Sequence, residues 1–428
     1  MSLPRVTKFL PLVMVVALVL AACTSGSPSE SANPSESAGA SASQPAGDVA
    51  IELWTKEGDP SIAFVQQLAD DYTALHPNVT FNVVNKDVEL LREDMVNTAL
   101  APDTQPQLLW TVLDHVGPLY DAGVIQPLTG QFDDSVLADV ARGAGTYGPD
   151  NDVWVAPISI GNQLMLYYNK SMVSEAPADT DAMIAAAVTN TSGDNYGLVY
   201  NQTEPFWLVP WLGGFGGSVF ADDGVTPTLD TDAMKSTLQF LYDLKFTSSV
   251  MPSECDYDCA HGLFTEGSAA MIVNGDWVLA DYTTALGDDL GVTAIPMVTA
   301  TGEYPKPYIG GAYWMVPSGV EGDTLTVVLD FINWTLAADQ QRAQVEVLKR
   351  LPSNDEILND AVVTGDPSLA DAAAAVSKGI PQPINAEMRC NWDAMKPQMS
   401  AVLSGTASVA DAAAAMQTAA DNCIATLQ

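Results

Sequence analysis

The chain has 428 residues, 47% of them hydrophobic, which supplies ample core material, excludes global disorder and suits two domains better than one. Its 53 acidic residues against 16 basic give a formal net charge of -37. That balance repels nucleic acid and anionic membrane surfaces and favours neutral or cationic ligands.

At the start, Arg5 and Lys8 precede the apolar run FLPLVMVVALVLAA, which ends on small residues before Cys23. The run is short of the roughly 20 residues that span a bilayer, so residues 1–23 read as a signal peptide. LVLAAC resembles a bacterial lipobox, and the resemblance implies a diacylglyceryl group on Cys23 holding the mature protein on the extracytoplasmic face of the cell membrane. Residues 24–48, rich in Ser, Ala, Pro and Gly, cannot bury enough apolar surface to fold and read as a disordered tether.

Beyond the tether, alternation in VAIELW, helical spacing at Val65, Leu68, Tyr72 and Leu75, and alternation in NVTFNVV predict strand, helix, strand. VELLREDMVNTAL then predicts a helix and QLLWTV a strand. This rhythm argues for α/β architecture with mainly parallel sheets flanked by helices. WVAPI and LMLYYN, joined by SIGNQ, read as two short strands at a crossing between lobes.

A second α/β set follows: the strand YGLVYN, an aromatic and glycine-rich run EPFWLVPWLGGFGG, a helix through KSTLQFLYDLK, and the strands AAMIVNG and GVTAIPMV. In the aromatic run a helix begins at Pro205, and Gly213 suits its C-terminal cap. PYIGGAYWMVP reads as one strand opening a helix-rich stretch, and the two ADAAAA segments read as alanine-rich helix faces. With Cys23 assigned to lipid, four cysteines allow three pairings. Cys255 and Cys259 are close enough for a local loop, which leaves Cys390 with Cys423.

Walker-type loops, HExxH and GxSxG are absent, and the three histidines, His76, His115 and His261, are far apart in sequence. Neither a metal nor a cofactor is implied. An acidic chain always offers carboxylate pairs such as Glu204 with Asp276, so glycoside hydrolysis has no specific signal. More informative are Trp54, Trp110, Trp277 and Trp392, each at a strand end or helix start, where α/β clefts form. Aromatic faces match the C–H faces of a pyranose ring, and carboxylates or amides match its hydroxyl edges.

At these residues the chain resembles the extracellular solute-binding proteins of ABC sugar importers, within them the maltose and maltodextrin binders. The resemblance is carried by a collinear series: IELWT, PQLLWTVLDHVGPLYDAGVIQPL, PISIGNQLMLYYNKSMV, YNQTEPFWLVPWLGGFGG, FTEGSAAMIVNGDW, KPYIGGAYWMVPSG and PINAEMRCNW. It implies two lobes joined by a multi-strand hinge, the first comprising residues 49–158 and 314–362, the second 159–313 and 363–428. It further implies a monomer that captures an oligosaccharide, most readily an α-glucoside, and delivers it to membrane permease subunits. Carried over by position, Glu204 and Phe206 contact the sugar, Trp277 and Trp392 stack on it, and Trp110, Asp114 and Asn162 complete the site. Trp54 leads into the loop Lys56, Glu57, Asp59, which supplies polar contacts. Phe206 stands where maltose binders carry tyrosine, and His115 where arginine is usual. Trehalose or another oligosaccharide therefore stays open beside maltodextrin, with a secreted glycoside hydrolase as the rival class.

Overall fold

A computed structural model describes residues 47–58 and 61–427. The signal peptide, Cys23, the tether up to residue 46, and Asp59 lie outside the described residues. Regular structure begins where alternation begins, at β1 (Val49–Thr55), followed by β2 (Val79–Asn85), β3 (Leu108–Thr111), β4 (Thr146–Tyr147), β5 (Asp152–Val153) and β6 (Ala156–Pro157). After a crossing come β7 (Leu164–Asn169), β8 (Val199–Tyr200), β9 (Met271–Gly275), β10 (Leu290–Thr293) and β11 (Tyr308–Ile309), then β12 (Tyr313–Met315) and β13 (Ile380–Pro381).

Two sheets organise the chain, one in the order β2-β1-β3-β12-β6 and one in the order β10-β7-β9-β8. In the first, β1 is parallel to β2 and β3, while β12 is antiparallel to β3 and β6. In the second, β8 is parallel to β9, while β7 is antiparallel to β9 and β10. Each sheet is thus mainly parallel with one reversed strand. The two reversed strands, β7 and β12, are the strands by which the chain enters each sheet from the other lobe.

The crossings lie side by side. Tyr313 pairs with Pro157, Gly161 bridges Gly310, and the Ile158 N–H donates to the Ala312 carbonyl at 2.8 Å. PYIGGAYWMVP is therefore two strands rather than the single one expected, broken at Gly310 and Gly311 so that β11 and β12 serve different sheets. A third passage bridges Pro352 to Ser159, and β13 pairs with β11 beside the others. Gly161 holds φ of +125°, and a Cβ there would lie 2.1 Å from the Asp276 carboxylate, so this turn of the hinge admits only glycine.

Helices cover both sheets. Ser61–Leu75 buries Phe64, Val65, Leu68 and Tyr72, and Asp232–Tyr242 buries Met234, Leu238 and Leu241 below an N-cap at Thr231. In the first lobe Trp110, Trp314 and Phe331 are fully buried, with Trp110 edge-on to Trp314 at 4.9 Å. The ADAAAA segments lie in the helices Pro367–Val376 and Val409–Ile424. Gly213 does not cap the aromatic run: the helix Val209–Gly214 runs through it and ends on Phe215, and Gly213 serves packing instead, since a Cβ there would lie 2.5 Å from Lys306. Both expected disulfides form, Cys255–Cys259 and Cys390–Cys423. No helix among the described residues is long and apolar enough to cross a membrane.

Candidate functional site

A cavity of about 1000 Å³ opens between residues of the two sheets and their crossings. Lys56, Glu57, Asp114 and His115 line it from the first lobe, Asn162, Arg350 and Gln382 from the crossings, and Glu204, Phe206, Trp277 and Trp392 from the second. Its size is that of a small-molecule site.

The second-lobe wall is aromatic. The Phe206 ring centre lies 6.2 Å from that of Trp277 and 6.3 Å from that of Trp392, so Phe206 adjoins both indoles. Trp277 follows the carboxyl end of β9, and its indole folds back over Gly275, where a Cβ would lie 2.0 Å from the ring. The Trp277 N–H donates to the Tyr257 hydroxyl at 2.9 Å, and the Trp207 N–H to the Val273 carbonyl at 2.8 Å. With their polar edges occupied, these indoles have only faces to offer. Trp392 projects from the helix Glu387–Leu403, and its N–H donates across the cleft to Asp114 at 3.3 Å.

Five of the chain's 16 basic residues, Lys56, Lys86, Arg350, Arg389 and Lys396, line this cavity. Each has a carboxylate partner: Lys56 and Arg350 hold Glu57, Lys86 holds Asp94, Arg389 holds Glu89, and Lys396 holds Glu204. Among the described residues every cation of the lining has a carboxylate partner, Lys56 and Arg350 sharing one, and nine carboxylates line the cavity against these five cations, which disfavours an anionic ligand.

Glu57 lines the cavity floor and is itself almost wholly buried. Burial alone would raise its pKa, but the Arg350 guanidinium at 2.8 and 3.0 Å and the Lys56 ammonium at 2.9 Å outweigh it and hold the carboxyl well below the usual range. The Trp110 N–H donates to the same carboxylate at 2.9 Å. Asp114 behaves oppositely: burial, with Glu89 nearby, pushes it up to about 6. His115 is pushed down to about 3 by burial and by the charges of Arg92, Lys56 and Arg389, so its ring is neutral, with Nδ1 2.7 Å from the Thr111 hydroxyl.

The structure gathers Lys56, Glu57, Asp114, Asn162, Glu204, Phe206, Trp277 and Trp392 around one cavity. Two expected residues are not there. Trp110 is buried in the first-lobe core because its register opposite Trp314 turns it inward. Trp54 packs with Leu91 and Met95 in the first lobe, its N–H on Glu52 and Lys86 over its ring. Residues the sequence reading missed include Tyr257, Arg350, Gln382, Arg389 and Lys396. All sit in otherwise ordinary helix or loop segments, and only the scarcity of cations in so acidic a chain could have drawn attention to Arg350, Arg389 and Lys396.

The sequence model of the bacterial extracellular solute-binding protein family matches residues 67–371. The chain is 24% identical over 365 residues to the maltotriose-binding protein of Pyrococcus abyssi, covering 83% of this chain and 78% of that one. Among solved structures it is similar to the maltose/maltodextrin-binding domain of Bdellovibrio bacteriovorus bound to maltotriose, at 29% identity and a TM-score of 0.82 over 88% of this chain and 100% of that one. It also shares its fold with the maltotriose-binding protein of Thermus thermophilus, at 24% identity and a TM-score of 0.81 over 87% and 100%. A family match across most of the folded part, on a two-lobe frame with a cleft between the lobes, leads to one assignment: this chain belongs to the bacterial extracellular solute-binding protein family.

Proposed function

We propose that the protein is the receptor of an ABC importer, capturing a neutral malto-oligosaccharide in the interlobe cleft and presenting it to permease subunits at the membrane. The observation that carries this is the aromatic cluster of Trp277, Phe206 and Trp392, set in a cavity whose cations are all held by carboxylates. In this reading the three rings stack on sugar faces, while Glu204, Asp114, Asn162 and Lys56 meet hydroxyl groups. Glu57 acts one layer below by fixing Lys56. The maltotriose-binding relatives support a chain of about three glucosyl units, one per ring.

Residues 49–158 with 314–362, and 159–313 with 363–428, act as the two closing bodies, and the chain works as a monomer anchored through lipid on Cys23. Ligand bridging both lobes shifts the population toward closure. A binding role rather than hydrolysis is supported by the carboxylates. Glu204 is held by Lys396 at the cavity, whereas Asp276 is buried at the hinge and is not among the cavity-lining residues. Glu204 and Asp276 therefore do not face each other across the cavity, and no cofactor is invoked.

Tryptophan fluorescence during titration with maltotriose tests this. Saturable change is expected in the wild type, with Trp277→Ala and Trp392→Ala each weakening binding by about 10- to 100-fold. Release of reducing sugar from maltotriose, or unchanged affinity in both variants, overturns it.

A further inference from the structure

We infer that the Cys255–Cys259 disulfide is a positioning clamp for the aromatic wall of the cleft. The bond closes the first turn of the helix Tyr257–Thr265, and this turn reaches the cavity through Asp256, Tyr257, Asp258 and His261. Tyr257 lies within the clamped loop. Its hydroxyl accepts the Trp277 N–H at 2.9 Å, and its ring lies 6.1 Å from Trp207. The same loop is tied to the other half of the wall: the Gln202 N–H donates to the Cys255 carbonyl at 2.9 Å, and its side-chain amide donates to Pro252 at 3.2 Å. Two residues beyond Gln202 the chain reaches Glu204, and then Phe206.

The stability a cross-link confers through chain entropy grows with the loop it closes, and a separation of four residues gives it little to restrain globally. Its effect is therefore local. The remainder of this helix is held independently by buried Ala260 and Phe264, the latter 4.7 Å from Tyr282, so loss of the bond frees the first turn while the body stays packed. Asp256 caps the turn through the Cys259 N–H at 3.0 Å, but its own exposure leaves that bond open to competition from water. The clamp holds Tyr257, Tyr257 holds Trp277, and Trp277 stays beside Phe206.

The inference rests on the oligosaccharide reading, and the test separates the two. In the Cys255→Ser, Cys259→Ser double variant, held well below its unfolding temperature, the Kd for maltotriose is expected to rise about tenfold. Amide exchange from Tyr257 to Ala260 should quicken without ligand while that of Phe264 does not. A double-mutant cycle with Tyr257→Phe should be non-additive, because both changes act through the Trp277 bond. Wild type that fails to bind maltotriose sinks the sugar reading while exchange still tests the clamp. Unchanged protection of the turn, or a Kd within about twofold of a wild type that binds, overturns the clamp. Should the double variant not fold, wild type reduced with dithiothreitol and mapped by mass spectrometry for opening at Cys255 and Cys259 gives the same two readouts.

Discussion

Arg350 and Glu57 are both almost wholly buried, and their two hydrogen bonds join the end of one helix to the floor of the cleft. Removing one partner leaves a buried charge, so Arg350→Met is expected to cost about 3 to 5 kcal/mol in urea denaturation, and a loss under about 1 kcal/mol would contradict the pairing. Asp276 makes the opposite case. Its carboxyl, buried against Gly161, is pushed from 3.8 up to about 6 by burial. Because the folded value lies above the unfolded one, this group's stabilising contribution is full below about pH 4 and is lost as pH rises through about 6. Asp276→Asn should therefore flatten the fall in stability between about pH 3 and about pH 7, by up to about 3 kcal/mol, as read by denaturation at both; parallel curves would contradict it. At this scale the sequence was informative but blind to direction. Trp54, Trp110, Trp277 and Trp392 shared the same local signature, yet Trp110 turned inward because of its pairing with Trp314, 204 positions away in a strand whose register no local pattern reveals.

The cross-links separate two kinds of element support. Cys390–Cys423 spans 33 residues and joins the packed helices Glu387–Leu403 and Val409–Ile424, whereas Cys255–Cys259 spans four. Chain entropy gives about 4 kcal/mol for the long loop against about 2 for the short one. Replacing Cys390 and Cys423 by serine should therefore lower the thermal midpoint more than replacing Cys255 and Cys259, and calorimetric scans showing the reverse order would contradict this. The helices and most strands were legible, since their periodicity is local and caps such as Thr231 and Asp87 mark their starts. The reversal of β7 and β12 was not. Their direction follows from entry across the hinge, and the break of PYIGGAYWMVP at Gly310 and Gly311 shows in space, not in hydropathy.

For the whole molecule, the two lobes meet at the cleft rim through Glu89 with Arg389 and Asp114 with Trp392. The Glu89 and Arg389 side chains are partly exposed, at 46% and 31%, and such pairs contribute at most about 1 kcal/mol, so they favour closure without locking it. A ligand gripping both walls supplies the larger bias, by its differential affinity for the closed form. The two-lobe plan could be anticipated from the order of motifs along the chain; the pairing of the cavity's cations with carboxylates could not, because Arg350, Arg389 and Lys396 reach it only after folding. Calorimetric titration of the folded part with maltotriose tests the central claim most directly. One saturable site is expected, with a negative heat-capacity change from burial of the aromatic cluster; no heat and no saturation with maltotriose or longer malto-oligosaccharides would contradict it.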